Sequence, residues 1–166
     1  MEPSEQRAGD RFAGRGLGID LGAVRIGVAL CDSNGTLATP YQTVSRSGNP
    51  NLDHQRLRAL VEECDAAFVV IGVPYSLASG EIGPAAHSTL DEIEQIRRSF
   101  GEHVDVHLQD ERLTSVTAEQ RLTEMGIKGK RRKQLVDQIA AAVILQTWID
   151  GETSGGSGHA HALGKG

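Results

Sequence analysis

The 166-residue sequence predicts an α/β fold, a five-stranded mixed sheet flanked by helices. Three observations predict it. Two short β-prone runs separated by three residues open the patterned part of the chain. A continuous apolar run, Ala67-Phe68-Val69-Val70-Ile71-Gly72, has the character of a strand covered on both faces. Apolar stripes at helical spacing then alternate with the later strands, as they do in crossover units.

Taken in order, Gly16 to Leu21 and Arg25 to Cys31 are the β-prone runs, joined through Gly22-Ala23-Val24. A Ser33-Asn34-Gly35 turn leads into a third extended stretch from Leu37 to Val44, and three consecutive strands with tight turns make an antiparallel meander. Leu57, Leu60, Val61 and Cys64 recur at helical spacing and predict a helix over 52–63. After the buried strand, Pro84 stands where the first turn of a helix tolerates it, and Ala86, Leu90, Ile93, Ile96 and Phe100 form that helix's inward stripe. Val104, Val106 and Leu108 alternate as a fifth strand. A helix over 115–125 follows with Gly126 as its C-terminal cap, and a last helix spans 132–150. The order reads βββαβαβα, a meander feeding two crossover units. That is the order of the ribonuclease H-like fold, although other α/β sandwiches share it.

The pattern delimits one domain, residues 15–150, between two tails expected to be disordered, 1–14 and 151–166. The second, GETSGGSGHAHALGKG, is Gly/Ser-rich and has too little apolar surface to fold; His159 and His161 fall within it. No stretch approaches the eighteen or so apolar residues of a membrane span, and the first thirteen residues lack a signal-peptide core. The expected location is the cytoplasm, with no membrane partner. Cys31 and Cys64 form no C-x-x-C pair and have no histidine at metal spacing, so both are expected to be reduced and buried. The glycines before Asp20 do not make a dinucleotide-binding G-x-G-x-x-G: the third position falls on Ile19 or Leu21, and the segment leads into a strand. There is no Gly-x-Ser-x-Gly elbow and no histidine–cysteine zinc spacing.

Three acidic positions stand out. Asp20 lies inside GLGIDLG on an expected central strand, where a carboxylate is costly to bury without a cation or a hydrogen bond. Gly18 and Gly22 beside it are expected to let a phosphate backbone approach. Asp110 and Glu111 end the fifth strand, where ligands of open α/β sheets gather, and strand alternation puts only one of the two in a shared site. Arg112 beside them can neutralise a phosphate or pair with a neighbouring carboxylate. Asp137 precedes Ala141, Ile144 and Trp148 by four, seven and eleven residues, which places it on the sheet-facing side of the last helix. Oxygen ligands suit hard divalent cations such as Mg²⁺ or Mn²⁺, and a pair of ions can activate water and steady the leaving oxygen of a phosphodiester.

The net charge is −5, yet five of the six residues from Lys128 to Lys133 are basic: Lys128, Lys130, Arg131, Arg132 and Lys133. Such a run positions a phosphate backbone without reading sequence. Aromatics make up only 4 %, which disfavours stacking on single-stranded bases and points to structured duplex or junction substrates.

Four segments carry a family resemblance: GIDLGAVRIGVA at 18–29, VIGVPYSLASG at 70–80, DERLTS at 110–115 and VDQIAAAVIL at 136–145. Together they resemble the YqgF/RuvX family, described as Holliday junction resolvases and as pre-rRNA nucleases, over about residues 15–150. The resemblance implies a ribonuclease H-like fold, Mg²⁺- or Mn²⁺-dependent cleavage with two ions, and Asp20, Glu111 and Asp137 as the catalytic and metal-binding carboxylates, with Asp110 the second candidate. It also implies that Arg25 and the Gly72-Val73-Pro74 loop face the substrate. Tyr75-Ser76-Leu77 departs from the family's usual loop. The implied substrates are a four-way DNA junction, precursor rRNA, or both, and symmetric cutting of a junction favours a homodimer. Two other classes compete: an actin-like phosphotransferase, which needs a second related domain, and a non-catalytic RNA- or ribosome-binding module on the same fold.

Overall fold

The meander expected at the start of the chain forms: β1 (Arg15–Leu21), β2 (Arg25–Cys31) and β3 (Ala38–Ser45) pair antiparallel in sequence order. The structure is a computed structural model and describes residues 14–74, 83–111 and 114–153, apart from the side chains of Ala85 and of residues 114–116. Gly35 closes the β2–β3 turn at φ +65°, its N–H donating to the Asp32 carbonyl at 3.0 Å. β4 (Ala66–Val73) then pairs parallel to β1, and β5 (Asp105–Asp110) parallel to β4. The sheet order is β3-β2-β1-β4-β5.

Helices cover both faces, which is why β4 reads as an unbroken apolar run. On one face α1 (Pro50–Glu63) and α2 (Pro84–Phe100) bury Leu57, Leu60, Ile93 and Ile96 against Leu17 and Ile19 of β1, Ile26 and Val28 of β2, and Val69 and Ile71 of β4. α1 begins two residues earlier than its apolar stripe suggests. Pro50 fits the first turn, and the Asn49 side chain caps it by accepting from the Asn51 N–H. On the other face a single long helix lays Ala141, Ile144, Leu145 and Trp148 over Ala29, Cys31, Phe68 and Val70.

That helix corrects the element order. The described residues end in two helices, α3 (Thr114–Glu124) and α4 (Gly129–Thr153), so their order is βββαβαβαα. Both segments are legible in the sequence, but α4 extends three residues beyond its expected range at each end and takes in Gly151–Thr153, which the sequence reading gave to the tail. Gly126 terminates α3 at φ +70° as expected. Ala118 and Leu122 of α3 pack on Ile139 and Ala140, a third small core that fixes α3 against the flank of α4. Both cysteines are free and buried. Among the described residues no helix is long and apolar enough to cross a membrane. Arg112, the Tyr75-Ser76-Leu77 loop, His159 and His161 lie outside the described residues.

Candidate active site

Alternation along β1 divides its residues between the two faces. Leu17 and Ile19 point to the α1/α2 core, so Gly16, Gly18 and Asp20 point to α4. Glycines then make the floor on which α4 rests. A Cβ at Gly18 would stand 2.5 Å from the Ala141 carbonyl oxygen, and one at Gly27 would stand 2.0 Å from that of Asp137. Gly27 is the residue opposite Asp20 in the β1–β2 ladder. The missing side chain at Gly27 therefore brings the backbone of Asp137 down beside Asp20. The sequence reading gave Gly18 to an approaching phosphate; it lies under the helix instead. Gly22 serves the tight turn, where a Cβ would meet the Arg25 carbonyl oxygen at 2.4 Å.

Glu111 arrives from the other side. Its N–H donates to the Val73 carbonyl at 3.1 Å and continues the β4–β5 ladder one residue past β5. Val106 and Leu108 face the α1/α2 core, so His107 and Glu111 share the α4 face, where the His107 ring stacks on Trp148 with centroids 4.6 Å apart. A Cβ at Gly72 would lie 2.7 Å from Glu111 Oε2, which makes Gly72 the seat of that carboxylate. By the same alternation Asp110 points away from α4.

Asp20 and Glu111 share a hydrogen bond, with Asp20 keeping the proton. Burial first, then the negative charges of Glu111 and Asp137, raise the Asp20 carboxyl from 3.8 to about 7. Burial also raises Glu111; the bond from Asp20 opposes this, and the charge of Asp110 adds to it. Asp137 is thus near enough for its charge to act on Asp20, but its own carboxylate is engaged elsewhere: Arg25 Nε donates to Oδ2 at 2.8 Å. Among the described residues no three His, Cys, Asp or Glu side chains are grouped so as to hold a metal ion as they stand. The arrangement is a proton-sharing carboxylate pair with a third carboxylate beside it, held by a guanidinium.

The turn that carries Asp20 into Arg25 is braced from outside the site. Arg46, just past β3, donates through Nε to the Gly22 carbonyl at 3.0 Å and through its backbone N–H to that of Val24 at 2.9 Å. Its guanidinium grips both oxygens of Glu92 on α2, and Glu92 also bonds His54 Nε2 at 3.1 Å. His54 and Asp53 are the buried polar residues of the described chain, and Asp53 accepts from the Ser47 N–H at 3.0 Å. Gly72 and Val73, expected in a substrate-facing loop, are strand residues of β4 instead, Val73 buried in the α1/α2 core and Gly72 beneath Glu111. Gly27, Arg46 and Glu92 are not singled out by the sequence for a site, and an in-strand glycine on the face opposite the apolar residues is the signal that could have found Gly27.

The basic run divides. Lys128, Lys130, Arg131 and Lys133 are exposed at the start of α4. Arg132 turns back to α3, pairing with Glu119 Oε2 at 2.6 Å and donating to the Ile127 carbonyl and Thr123 Oγ1. It staples the two helices together.

Comparison with known proteins supplies what the geometry alone leaves open. The family model of RuvX, described as Holliday junction resolvase, matches residues 14–151. A Mycobacterium sp. (strain KMS) protein, provisionally named a pre-16S rRNA nuclease, is 44 % identical over 148 residues, covering 89 % of this chain and 86 % of its own. A protein of the same name from Streptomyces avermitilis is 45 % identical over 143 residues, covering 86 % and 90 %. Among solved structures, T. thermophilus RuvC in complex with Holliday junction substrate superposes with a TM-score of 0.53 at 17 % identity, over 90 % of this chain and 99 % of that one. The yeast mitochondrial Holliday junction resolvase Ydc2 gives 0.51 at 11 % identity, over 89 % and 84 %. At such identities these two establish the fold, which is ribonuclease H-like.

Proposed function

The chain belongs to the RuvX family, and from that premise we propose that it is a metal-dependent endonuclease that hydrolyses phosphodiesters in structured nucleic acid. The substrate is a four-way DNA junction, the 5′ end of precursor 16S rRNA, or both, in keeping with the names of its relatives. The location is the cytoplasm, and a homodimer suits the symmetric cutting that a junction requires.

One observation carries the metal reading. Asp20 and Glu111 are hydrogen-bonded on the α4 face, and burial together with the charges of Glu111 and Asp137 raises the Asp20 carboxyl to about 7. A divalent cation relieves the same repulsion that the proton now relieves, and an all-oxygen donor set suits Mg²⁺ or Mn²⁺. Asp20 and Glu111 would hold the ion, with Asp137 the third ligand through whichever oxygen Arg25 leaves free. When bound, one or two such ions supply a hydroxide-like water and stabilise the departing oxygen.

The chain's own residues do the rest. The glycine floor fixes the separation of β1, β4 and α4, and hence of the three carboxylates. Lys128, Lys130, Arg131 and Lys133 offer phosphate contacts at the start of the helix that carries Asp137, and Arg25 offers one at the site itself. Arg112 belongs to the same proposal on the sequence alone. Arg132 does not add to the patch in the arrangement seen. A non-catalytic nucleic-acid-binding module remains the second reading, favoured by one feature, the occupation of Asp137 by Arg25.

The test incubates the purified protein with a four-way DNA junction, linear duplex and precursor rRNA, each with Mn²⁺ or with chelator. Metal-dependent cutting of at least one, lost in Asp20→Asn and Asp137→Asn while binding is retained, supports the nuclease. Cutting that survives both substitutions rejects this site.

A further inference from the structure

We propose that Arg25 is a latch on the third carboxylate: it occupies an oxygen of Asp137 and offsets its charge until a nucleic-acid phosphate draws its guanidinium away, so that metal and nucleic acid load the site together. The inference rests on the metal-dependent reading above and adds a coupling which that reading does not require.

The geometry that points to it is local. Arg25 Nε donates to Asp137 Oδ2 at 2.8 Å, with the two side chains 35 % and 20 % exposed, so the pair is partly accessible to solvent. Asp20 and Glu111 bond each other, not Asp137. Among the described residues one oxygen of Asp137 is thus free for an ion as the protein stands, and bringing in both, with the full negative charge of the carboxylate, means loosening its hold on Arg25. Among the described residues only the Nε of this guanidinium has a protein partner, which leaves the paired Nη donors for a second anion. A phosphate oxygen pair matches that fork in shape and charge.

The moving part is confined to one side chain. The Arg25 backbone is fixed in the ladder opposite Ser45, and the preceding turn is tied down by Arg46 through the Gly22 and Val24 carbonyls. Asp137 is fixed by the contact of its own carbonyl with the floor at Gly27. What remains free is the Arg25 rotamer, which has two anions to choose between. With the carboxylate as its partner the protein resists the cation; with a phosphate as its partner Asp137 is released to the metal. By linkage, metal must then favour nucleic acid by the same factor that nucleic acid favours metal.

The experiment measures Mn²⁺ affinity by titration calorimetry on the full chain at fixed ionic strength, alone and with a phosphorothioate-linked four-way DNA junction that resists cutting. Wild type is expected to bind Mn²⁺ about tenfold more tightly when the junction is present, within the usual range of coupling between sites. Arg25→Met, which keeps the stem and removes the fork, is expected to bind Mn²⁺ tightly with or without the junction. Equal tightening in wild type and Arg25→Met would mean that the junction's charge alone attracts the ion, and overturns the latch. So does Mn²⁺ binding by wild type that the junction leaves unchanged, a result that needs no variant to fold. A wild type that binds no Mn²⁺ in either condition overturns the metal reading itself, which separates the two failures.

Discussion

The carbonyl of Asp137 lies directly on Gly27, at a point where a Cβ on that glycine would be 2.0 Å from the oxygen. Since Gly27 pairs with Asp20 across the ladder, one absent side chain sets how near the helix-borne carboxylate comes to the strand-borne one. The site is built by a close approach of helix to sheet and owes little to any loop.

Gly27→Ala must therefore lift α4. The obstructing atom is backbone, so the helix itself has to move, and the cost is that of an overpacked core, about 1–3 kcal/mol. The expected result is a folded protein with a lowered melting temperature and cutting reduced by at least tenfold. Equal activity in Gly27→Ala would show that the Asp20–Asp137 spacing is not critical.

Metal-free protein should lose stability as pH rises from about 4 to about 7 and change little on this account above that. The Asp20 carboxyl sits near 7 in the folded chain and near 3.8 when unfolded, so its proton binding favours the folded state fully below about pH 3.8, and the benefit is lost as pH rises to about 7. Above that, an uncompensated charge sits beside Glu111. Asp20→Asn removes the charge, so it should raise the melting temperature of the metal-free protein at pH 8 by several degrees, by less than half as much at pH 5, and leave little difference below pH 4. Thermal melts in chelator across that range check it.

Arg46→Met tests the brace behind the turn. It leaves the partly buried Glu92 carboxylate without the cation that holds its pKa below the usual range against burial, a loss of about 2–3 kcal/mol. Because Arg46 also ties the Gly22 and Val24 carbonyls, activity should fall by more than the stability loss explains. Hydrogen exchange at the amides of 22–25 should quicken.

Replacing Lys130, Arg131 and Lys133 by Ala should weaken nucleic-acid binding and flatten its salt dependence by up to about three units of slope, near 0.9 per lost phosphate contact. Arg132→Ala, by contrast, should leave that slope unchanged and cost about 1–2 kcal/mol of stability, because its partners are Glu119, Thr123 and Ile127.

The contrast between Arg131 and Arg132 shows where the sequence stops informing. Both belong to one basic run, and only the packing of α3 on α4 decides which meets solvent. The strands were legible because alternation and the apolar run at Ala67–Gly72 record burial directly: β2 has the predicted bounds, Arg25–Cys31. The candidate carboxylates stood out for the same reason, as charges inside apolar pattern. What was not legible is pairing at long range. Arg25 and Asp137 are 112 residues apart, and nothing in either segment announces the other. Gly18 was read for what might approach from solvent, while the group that approaches is the backbone of Ala141. A glycine records that space is needed without saying for what.

The most direct test of the shared metal site counts protons. Titrating Mn²⁺ into the protein at pH 6 in buffers of different ionisation enthalpy should show close to one proton released per ion bound, the one now shared by Asp20 and Glu111, falling towards none at pH 8.5. Asp20→Asn should bind weakly and release none. Tight binding without proton release at pH 6, or binding unaffected by Asp20→Asn, would place the ion elsewhere and contradict the account.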